Sequence, residues 1–160
     1  MDPLGPRALF RFAAPIRVRF SDTDAQGVVH HATFFIFAEV ARHEYWARVG
    51  VSRFVMAREG LDDTVVEVQS RYHRPAHFYD LLNVRVRTAV LARTSCAVEF
   101  LVTRGGAEEV IAELRSVHVI VDLKSRRPIP IPAFFRQAVL DFEGPNVHLK
   151  YVVEGQRPDG

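Results

Sequence analysis

The chain has 160 residues, of which 48% are hydrophobic and 25% are charged, and its formal net charge is +2 at pH 7. These values are typical of one globular domain that buries about two thirds of its unfolded surface. So small a positive charge does not favour nucleic acid as a partner. The single cysteine, Cys96, excludes both an intramolecular disulfide and a multi-cysteine zinc site.

Targeting signals are not apparent in the sequence. No apolar run approaches the ~20 residues that a membrane-spanning helix needs. The first residues carry prolines and arginines instead of the continuous apolar centre of a signal peptide. Together with the low cysteine content, these features predict a cytoplasmic protein without a membrane span.

The first elements are a strand and a long helix. Alternating apolar and polar residues over 16–21 predict a short strand, and helical spacing then predicts a helix over 32–49 that is capped by Gly50. Because the beginning of this helix is apolar nearly all round, we expect other elements to enclose it. Its core residues are predicted to be Phe34, Phe37, Ala38, Ala41 and Tyr45.

Beyond a predicted turn at residues 58–63, apolar residues recur at every second position, which predicts four long strands. Pro75 ends the first of them, and Gly105 and Gly106 supply a hairpin turn before the last. The apolar positions of the four strands lie within 66–72, 82–90, 96–102 and 110–121. A short helix over 133–142 and a polar tail over 143–160, with a candidate strand at 147–153, complete the chain.

This order predicts an α+β fold in which one antiparallel sheet of about five strands wraps around a long central helix. We expect a single domain over 1–160, with its core at about 16–142. Such a sheet leaves a long free edge, and pairing with a second copy of the chain is a common way to cover it.

Asp24 is the strongest candidate for chemistry. It lies in the turn before the long helix, where the free backbone N–H groups and the macrodipole of the helix gather partial positive charge. Those amides can hold a carbonyl oxygen while the carboxylate attacks the carbon or activates water, which is acyl-transfer chemistry. Capping of the turn is the alternative role, and we assign it to Asp22.

Motifs of other enzyme classes are absent from the sequence. It contains no G-x-S-x-G, H-E-x-x-H, P-loop or G-x-G-x-x-G pattern, so we expect neither a metal nor a cofactor. His73 and His77 are separated by Pro75, which argues against a helical metal pair. Cys96 lies on an apolar strand face and is interpreted as a core residue.

Three blocks of the sequence resemble the acyl-CoA thioesterases of the hotdog fold, in particular the 4-hydroxybenzoyl-CoA thioesterase-like group with its Tol–Pal-associated members. The similarity spans about residues 16–139. The blocks are Asp22-Thr23-Asp24-x-x-Gly27-Val28-Val29-x-His31 followed by Glu39-x-Ala41-Arg42, then Tyr72-x-x-Pro75-Ala76-x-x-x-Asp80, and Arg93-Thr94-Ser95.

The resemblance implies a role for each matched residue. Asp24 is the nucleophile or general base, the backbone N–H at His31 polarises the thioester carbonyl, and Gly27 lets the turn pass close to the substrate. The substrate and coenzyme A are expected to contact Arg93, Thr94, Ser95 and Phe34. Relatives often carry Tyr where this chain has Phe20 and Phe34, so those hydroxyls are missing here.

The resemblance also implies a homodimer, often paired into a homotetramer, with the active site at the dimer interface. Coenzyme A is then part of the substrate, and no separate cofactor is required. The predicted function is hydrolysis of an acyl-CoA, or of an acyl group on an acyl carrier protein. A noncatalytic acyl-CoA-binding or sensor protein and a hotdog dehydratase or hydratase are the alternatives.

Overall fold

The computed structural model describes residues 4–106 and 109–150. Within these residues the chain forms six strands and three α-helices, with short 3-10 turns at Arg7–Leu9, Phe20–Asp22 and Gly144–Asn146. In chain order the elements are β1 Phe12–Arg17, α1 Thr33–Val49, α2 Arg53–Arg58, β2 Leu61–Tyr72, β3 Leu81–Ala92, β4 Ser95–Arg104, β5 Val110–Asp122, α3 Ala133–Glu143 and β6 His148–Lys150.

The strands form one sheet in the order β1-β3-β4-β5-β2, in which all neighbours are antiparallel. The short β6 pairs in parallel with the end of β3. Strand β2 therefore lies at a free edge, with β5 as its only partner in the described sheet. The predicted α+β fold, with an antiparallel sheet around a long helix, is confirmed.

Helix α1 forms the centre of the core, as its apolar pattern predicts. Its five predicted core residues are all buried. The helix ends at Gly50, whose φ of 97° places it in the left-handed region that glycine adopts readily and whose N–H donates to the carbonyl of Trp46. Arg42 is also buried in the middle of this helix, at 2% exposure, so α1 carries a charge into the core.

The first strand begins and ends earlier than the alternation over 16–21 predicts. Strand β1 ends at Arg17, and Phe20 is 78% exposed in a 3-10 turn. The carboxylate of Asp22 accepts hydrogen bonds from the backbone N–H and guanidinium of Arg19, at 2.8 Å each, and these bonds close the turn. The turn ends the alternation, and it gives Asp22 the structural role predicted for it.

Local irregularities account for the other differences from the predicted strands. The predicted turn at residues 58–63 begins where α2 ends, at Arg58. Ser52 caps the start of this helix by accepting a hydrogen bond from Val55 N–H. A bulge between Thr88 and Val90 shifts the alternation of β3, so that Leu91 is buried and Val90 is partly exposed.

The middle of β2 is exposed, although its alternation predicts one buried face. Val65, Val66 and Val68 are 44%, 58% and 49% exposed. The strand lies at the sheet edge, where only β5 pairs with it in the described sheet, and it carries a bulge between Val65 and Glu67. An exposed apolar edge of this length is typical of a surface that pairs with another chain.

The C-terminal tail is described up to Lys150. Within it, β6 confirms part of the candidate strand at 147–153, and the rest of that strand lies outside the described residues. No helix in the described part of the chain is long and apolar enough to cross a membrane.

Candidate active site

Asp24 begins a tight turn that closes on itself. Its N–H donates to the carbonyl of Val28 and its own carbonyl accepts from Gly27, both at 2.9 Å. One carboxylate oxygen, Oδ1, accepts from the N–H of Gln26 at 2.8 Å, as in an Asx-turn. The other oxygen, Oδ2, has no hydrogen-bond partner in residues 4–106 and 109–150, and the side chain is partly exposed. The structure therefore gives Asp24 a turn-forming oxygen and a free oxygen.

Gly27 is required by the shape of this turn. Its φ is 75°, a left-handed conformation that strains a residue with a Cβ atom, and nothing lies within 4 Å of the place where a Cβ would stand. The need for glycine thus comes from the backbone and not from a crowded neighbour. The predicted close approach of substrate to Gly27 stays a prediction.

His31 lies directly before the first turn of α1 and keeps a free donor. The N–H of Thr33 donates to the carbonyl of His30 at 2.9 Å, and the N–H of Ala32 faces the His30 ring nitrogen Nδ1 at 3.2 Å. The backbone N–H of His31 has no partner within the described structure. It lies where the helix dipole adds positive potential, so this amide is suited to bind an oxygen of a ligand.

A cavity of about 300 Å³ opens beside His31. Buried Phe34 forms part of its wall, and the Phe34 ring packs 5.5 Å from the ring of Tyr72, whose hydroxyl donates to the His31 carbonyl at 3.0 Å. Asp24 is not among the lining residues within one chain. The cavity is lined by Val28, Val29, His31, Phe34, Tyr72, His73, Arg74, Pro75 and Ala76.

The loop that carries Asp24 and His31 is fixed to the β2–β3 connection. The N–H of Val29 donates to the carbonyl of Ala76 at 2.8 Å, and Val28 forms an isolated β-bridge with His77. The N–H of His30 donates to the carbonyl of Asp22 at 3.0 Å, which ties the two ends of the loop together. The carboxylate of Asp24 and the free amide of His31 thus belong to one hydrogen-bonded loop.

Arg93, Thr94 and Ser95 lie at the other end of the sheet. Ser95 pairs with Val119 on β5, whereas Tyr72 beside the His31 cavity pairs with Ala112. At about 3.4 Å per residue, these two positions on β5 are roughly 24 Å apart. The carbonyl of Arg93 accepts from the guanidinium of Arg136 at 2.9 Å. One chain alone does not bring this predicted coenzyme A segment to the site at His31.

A buried polar cluster was missed by the sequence reasoning. The ring of His118 links Ser116 Oγ, at 2.7 Å from Nε2, to the Asp63 carboxylate, at 2.8 Å from Nδ1. The Arg42 guanidinium lies 3.2 Å from the same carboxylate oxygen. The His118 ring is buried, and both of its nitrogens have hydrogen-bond partners. The alternation of Ser116 and His118 on one strand was the available signal, but nothing in the spacing pointed to Asp63.

The electrostatics of this cluster favour a charged Asp63. Burial by itself raises the pKa of this carboxyl group, but the hydrogen bond from His118 and the charge of Arg42 outweigh it and lower the pKa. Cys96 behaves as the predicted core residue, since burial raises the pKa of its thiol to about 12. In the described residues, no group of three or more His, Cys, Asp or Glu side chains is arranged to hold a metal ion.

Comparison with known proteins places the chain in a family. A family model described as the thioesterase-like superfamily matches residues 18–139. The 1,4-dihydroxy-2-naphthoyl-CoA hydrolase of Thermosynechococcus vestitus is 32% identical over 72% of this chain and 79% of its own. The acyl-CoA thioester hydrolase YbgC of Escherichia coli O157:H7 is 29% identical over 78% of this chain and 90% of its own.

A solved structure supports the same fold. The 1,4-dihydroxy-2-naphthoyl-CoA thioesterase from Synechocystis superposes with a TM-score of 0.75, at 21% identity, over 84% of this chain and 98% of its own. The fold and the thioesterase class predicted from the three sequence blocks are therefore confirmed. The chain belongs to the thioesterase-like superfamily of hotdog-fold enzymes.

Proposed function

We propose that this protein hydrolyses the thioester bond of an acyl-coenzyme A, or of an acyl group on a carrier protein, to the free acid and the thiol. The observation that carries the proposal is the free backbone N–H of His31 at the start of α1, beside a cavity of about 300 Å³. Asp24 belongs to the same hydrogen-bonded loop and keeps one carboxylate oxygen without a partner among the described residues.

The His31 amide is suited to the charge that develops during thioester cleavage. As the carbonyl becomes tetrahedral, its oxygen gains negative charge, and the free N–H with the positive end of the α1 dipole stabilises it. Loss of one such donor typically lowers the rate about 10²–10³-fold. The donor is a backbone group on a loop held by Val29 and His30, so it needs little rearrangement when substrate arrives.

The free oxygen of Asp24 has two roles open to it. As a nucleophile it attacks the carbonyl carbon, the C–S bond breaks and the thiolate leaves, and water then cleaves the resulting mixed anhydride. As a general base it takes a proton from water while the water oxygen attacks the same carbon, and the thiolate again leaves. Both routes end in a carboxylic acid and a thiol.

A homodimer built through the β2 edges completes the site in this proposal. Antiparallel pairing of two such edges around a two-fold axis places the far end of one sheet beside the near end of its partner. Residues Arg93, Thr94 and Ser95 of one chain then lie at the end of the sheet where the other chain carries His31. The exposed Arg93 guanidinium there suits the phosphates of coenzyme A.

A thiol-release assay tests the proposal. The wild-type protein is expected to release coenzyme A from at least one of a series of short-chain, long-chain and aromatic acyl-CoA substrates. A phosphopantetheinyl carrier protein charged with the same acyl groups tests whether carrier-protein thioesters are also substrates. Calorimetry on the same compounds measures binding without turnover. Tight binding with no thiol release in any case would contradict hydrolysis and leave an acyl-CoA-binding protein.

A further inference from the structure

Tyr72 links the last position of β2 to His31, whose backbone N–H has no partner within the described structure. The Tyr72 hydroxyl lies 3.0 Å from the His31 carbonyl, and Ser70 Oγ lies 2.9 Å from the same hydroxyl. A carbonyl oxygen can only accept, so the Tyr72 hydroxyl donates its single proton to His31 and accepts from Ser70 in turn. The chemistry of these groups therefore fixes the direction of a chain of two hydrogen bonds, from Ser70 through Tyr72 to His31.

The His31 carbonyl takes its donor from the sheet instead of from helix α1. In an α-helix its donor would be the N–H four residues later, which belongs to Phe35. That N–H donates to the Ala32 carbonyl at 3.1 Å. The Tyr72 hydroxyl reaches the His31 carbonyl in its place, so this bond connects β2 to the loop before the helix.

The bond from Tyr72 completes the hold on both peptide planes that meet at His31. The plane that contains the His31 N–H also contains the His30 carbonyl, which accepts from Thr33 N–H at 2.9 Å. The next plane contains the His31 carbonyl, which Tyr72 holds. Peptide groups are planar and turn only about their bonds to Cα, so anchors on both planes fix the direction of the N–H.

The Tyr72 ring is itself held by rigid parts of the fold. Its centroid lies 5.5 Å from that of Phe34, which is buried, and its backbone pairs with buried Ala112 on β5. A functional group supported by a strand is placed more precisely than one on a loop. The hydrogen bond thus transmits the rigidity of the sheet to the loop that carries the proposed oxyanion donor.

We propose that Tyr72 is a positioning residue of this site: its hydroxyl holds His31 so that the backbone N–H points at the thioester carbonyl, and Ser70 orients that hydroxyl. The inference rests on the proposed function, which gives the His31 amide its role. A donor that is already in place stabilises the developing charge without rearrangement, whereas a donor that turns freely must first be ordered. In this role Tyr72 acts through His31 and not on the reacting atoms.

Tyr72→Phe keeps the ring against Phe34 and removes only the hydroxyl. We expect kcat on the best acyl-CoA substrate to fall about tenfold, the factor that corresponds to the net contribution of one hydrogen bond, while KM stays close to the wild-type value. Tm should change little, because the exposed His31 can bond to water instead. Tyr79→Phe removes the hydroxyl of a tyrosine that is 68% exposed on the neighbouring loop, and this control should keep wild-type kcat. Wild-type kcat in Tyr72→Phe, or an equal fall in both variants, would overturn the inference.

A double variant tests the contribution of Ser70. Ser70→Ala is expected to lower kcat by less than Tyr72→Phe does, because the Tyr72 proton still reaches the carbonyl. Combined with Tyr72→Phe, it should cause no further loss, since Ser70 acts on His31 only through the hydroxyl that is now missing. If the two losses multiply instead, Ser70 acts independently and the proposed chain is wrong.

A binding measurement separates this inference from the proposed function. It uses two acyl-CoA analogues that cannot be hydrolysed: a ketone, in which a methylene group replaces the thioester sulfur, and a thioether, which has no carbonyl oxygen. By calorimetry we expect wild type to favour the ketone by about tenfold and Tyr72→Phe to bind the two about equally.

The two ideas then fail in different ways. An affinity ratio that is the same in wild type and Tyr72→Phe, including equal binding of both analogues by wild type, would overturn the positioning role even where thiol release is observed. A ratio that falls in Tyr72→Phe, with no thiol release by wild type from any substrate, would support the positioning role and contradict hydrolysis.

Discussion

Replacement of Arg42 by methionine tests whether the buried charge of Asp63 depends on its ion pair. In the folded protein the Arg42 side chain is 3% exposed, the Asp63 side chain is 10% exposed, and Nη1 lies 3.2 Å from the carboxylate. Removal of one partner from a buried pair costs about 3–5 kcal/mol. Glu39 is half exposed, so loss of its pair adds little. Methionine keeps apolar contact with the Trp46 ring, over which the guanidinium stacks at 4.3 Å.

The hydrogen bond from His118 remains in Arg42→Met, so we expect the lower end of that range, about 3 kcal/mol. For a chain of this size that corresponds to a fall in Tm of about 6–12 °C. Urea denaturation at neutral pH measures the free energy of unfolding. The double variant with Asp63→Asn is expected to be less destabilised than the sum of the two singles, because no buried charge is left unpaired. A change below about 0.5 kcal/mol in Arg42→Met, or full additivity, would refute this reasoning.

Two further predictions concern the C-terminal helix and the dimer. Burial raises the pKa of Glu143 above its ordinary value of 4.5, against hydrogen bonds from Tyr45 and Thr88 that lower it. Because the folded pKa is raised, the wild-type protein loses free energy of unfolding as pH rises from 4.5 through the folded pKa of Glu143. Glu143→Gln has no group to ionise there, so its free energy of unfolding should rise relative to wild type between pH 4.5 and neutrality. Parallel plots of the free energy of unfolding against pH for the two proteins would contradict this. Co-expression of Asp24→Asn with Arg93→Ala should raise thiol release above that of either variant alone. In a mixed dimer, one of the two sites combines Asp24 of the Arg93→Ala chain with Arg93 of the Asp24→Asn chain, so that site is intact. No recovery would show that Arg93 does not act on the partner's site.

The sequence predicted the fold well because its main signals are periodic. The enclosed helix α1 ends at Gly50 as its spacing indicates, and β3, β4 and β5 form over the segments in which alternating apolar residues predict strands. The errors occurred where side-chain contacts override a pattern. Phe20 continues an alternation, but the Arg19–Asp22 hydrogen bonds turn the chain before it can join β1.

The candidate site was only partly accessible from sequence. Asp24 was predicted from its position before the long helix, and Gly27 and His31 from the resemblance to the hotdog thioesterases; the structure places all three in one loop. The cluster around His118 depends on Asp63, which is 55 residues away in the chain and meets it only because β2 pairs with β5. Long-range pairing of this kind leaves no local pattern, so single-sequence reasoning had no means to find it.

The most direct test of the central claim is the kcat of Asp24→Asn on the best acyl-CoA substrate. The variant keeps Oδ1 as an acceptor for the Gln26 N–H, so the turn should survive, but it lacks the carboxylate oxygen to which we assign the role of nucleophile or general base. We predict that kcat falls by at least about 10²-fold while KM stays close to the wild-type value, as expected for a group that acts only in the transition state. Wild-type kcat in this variant would contradict the account.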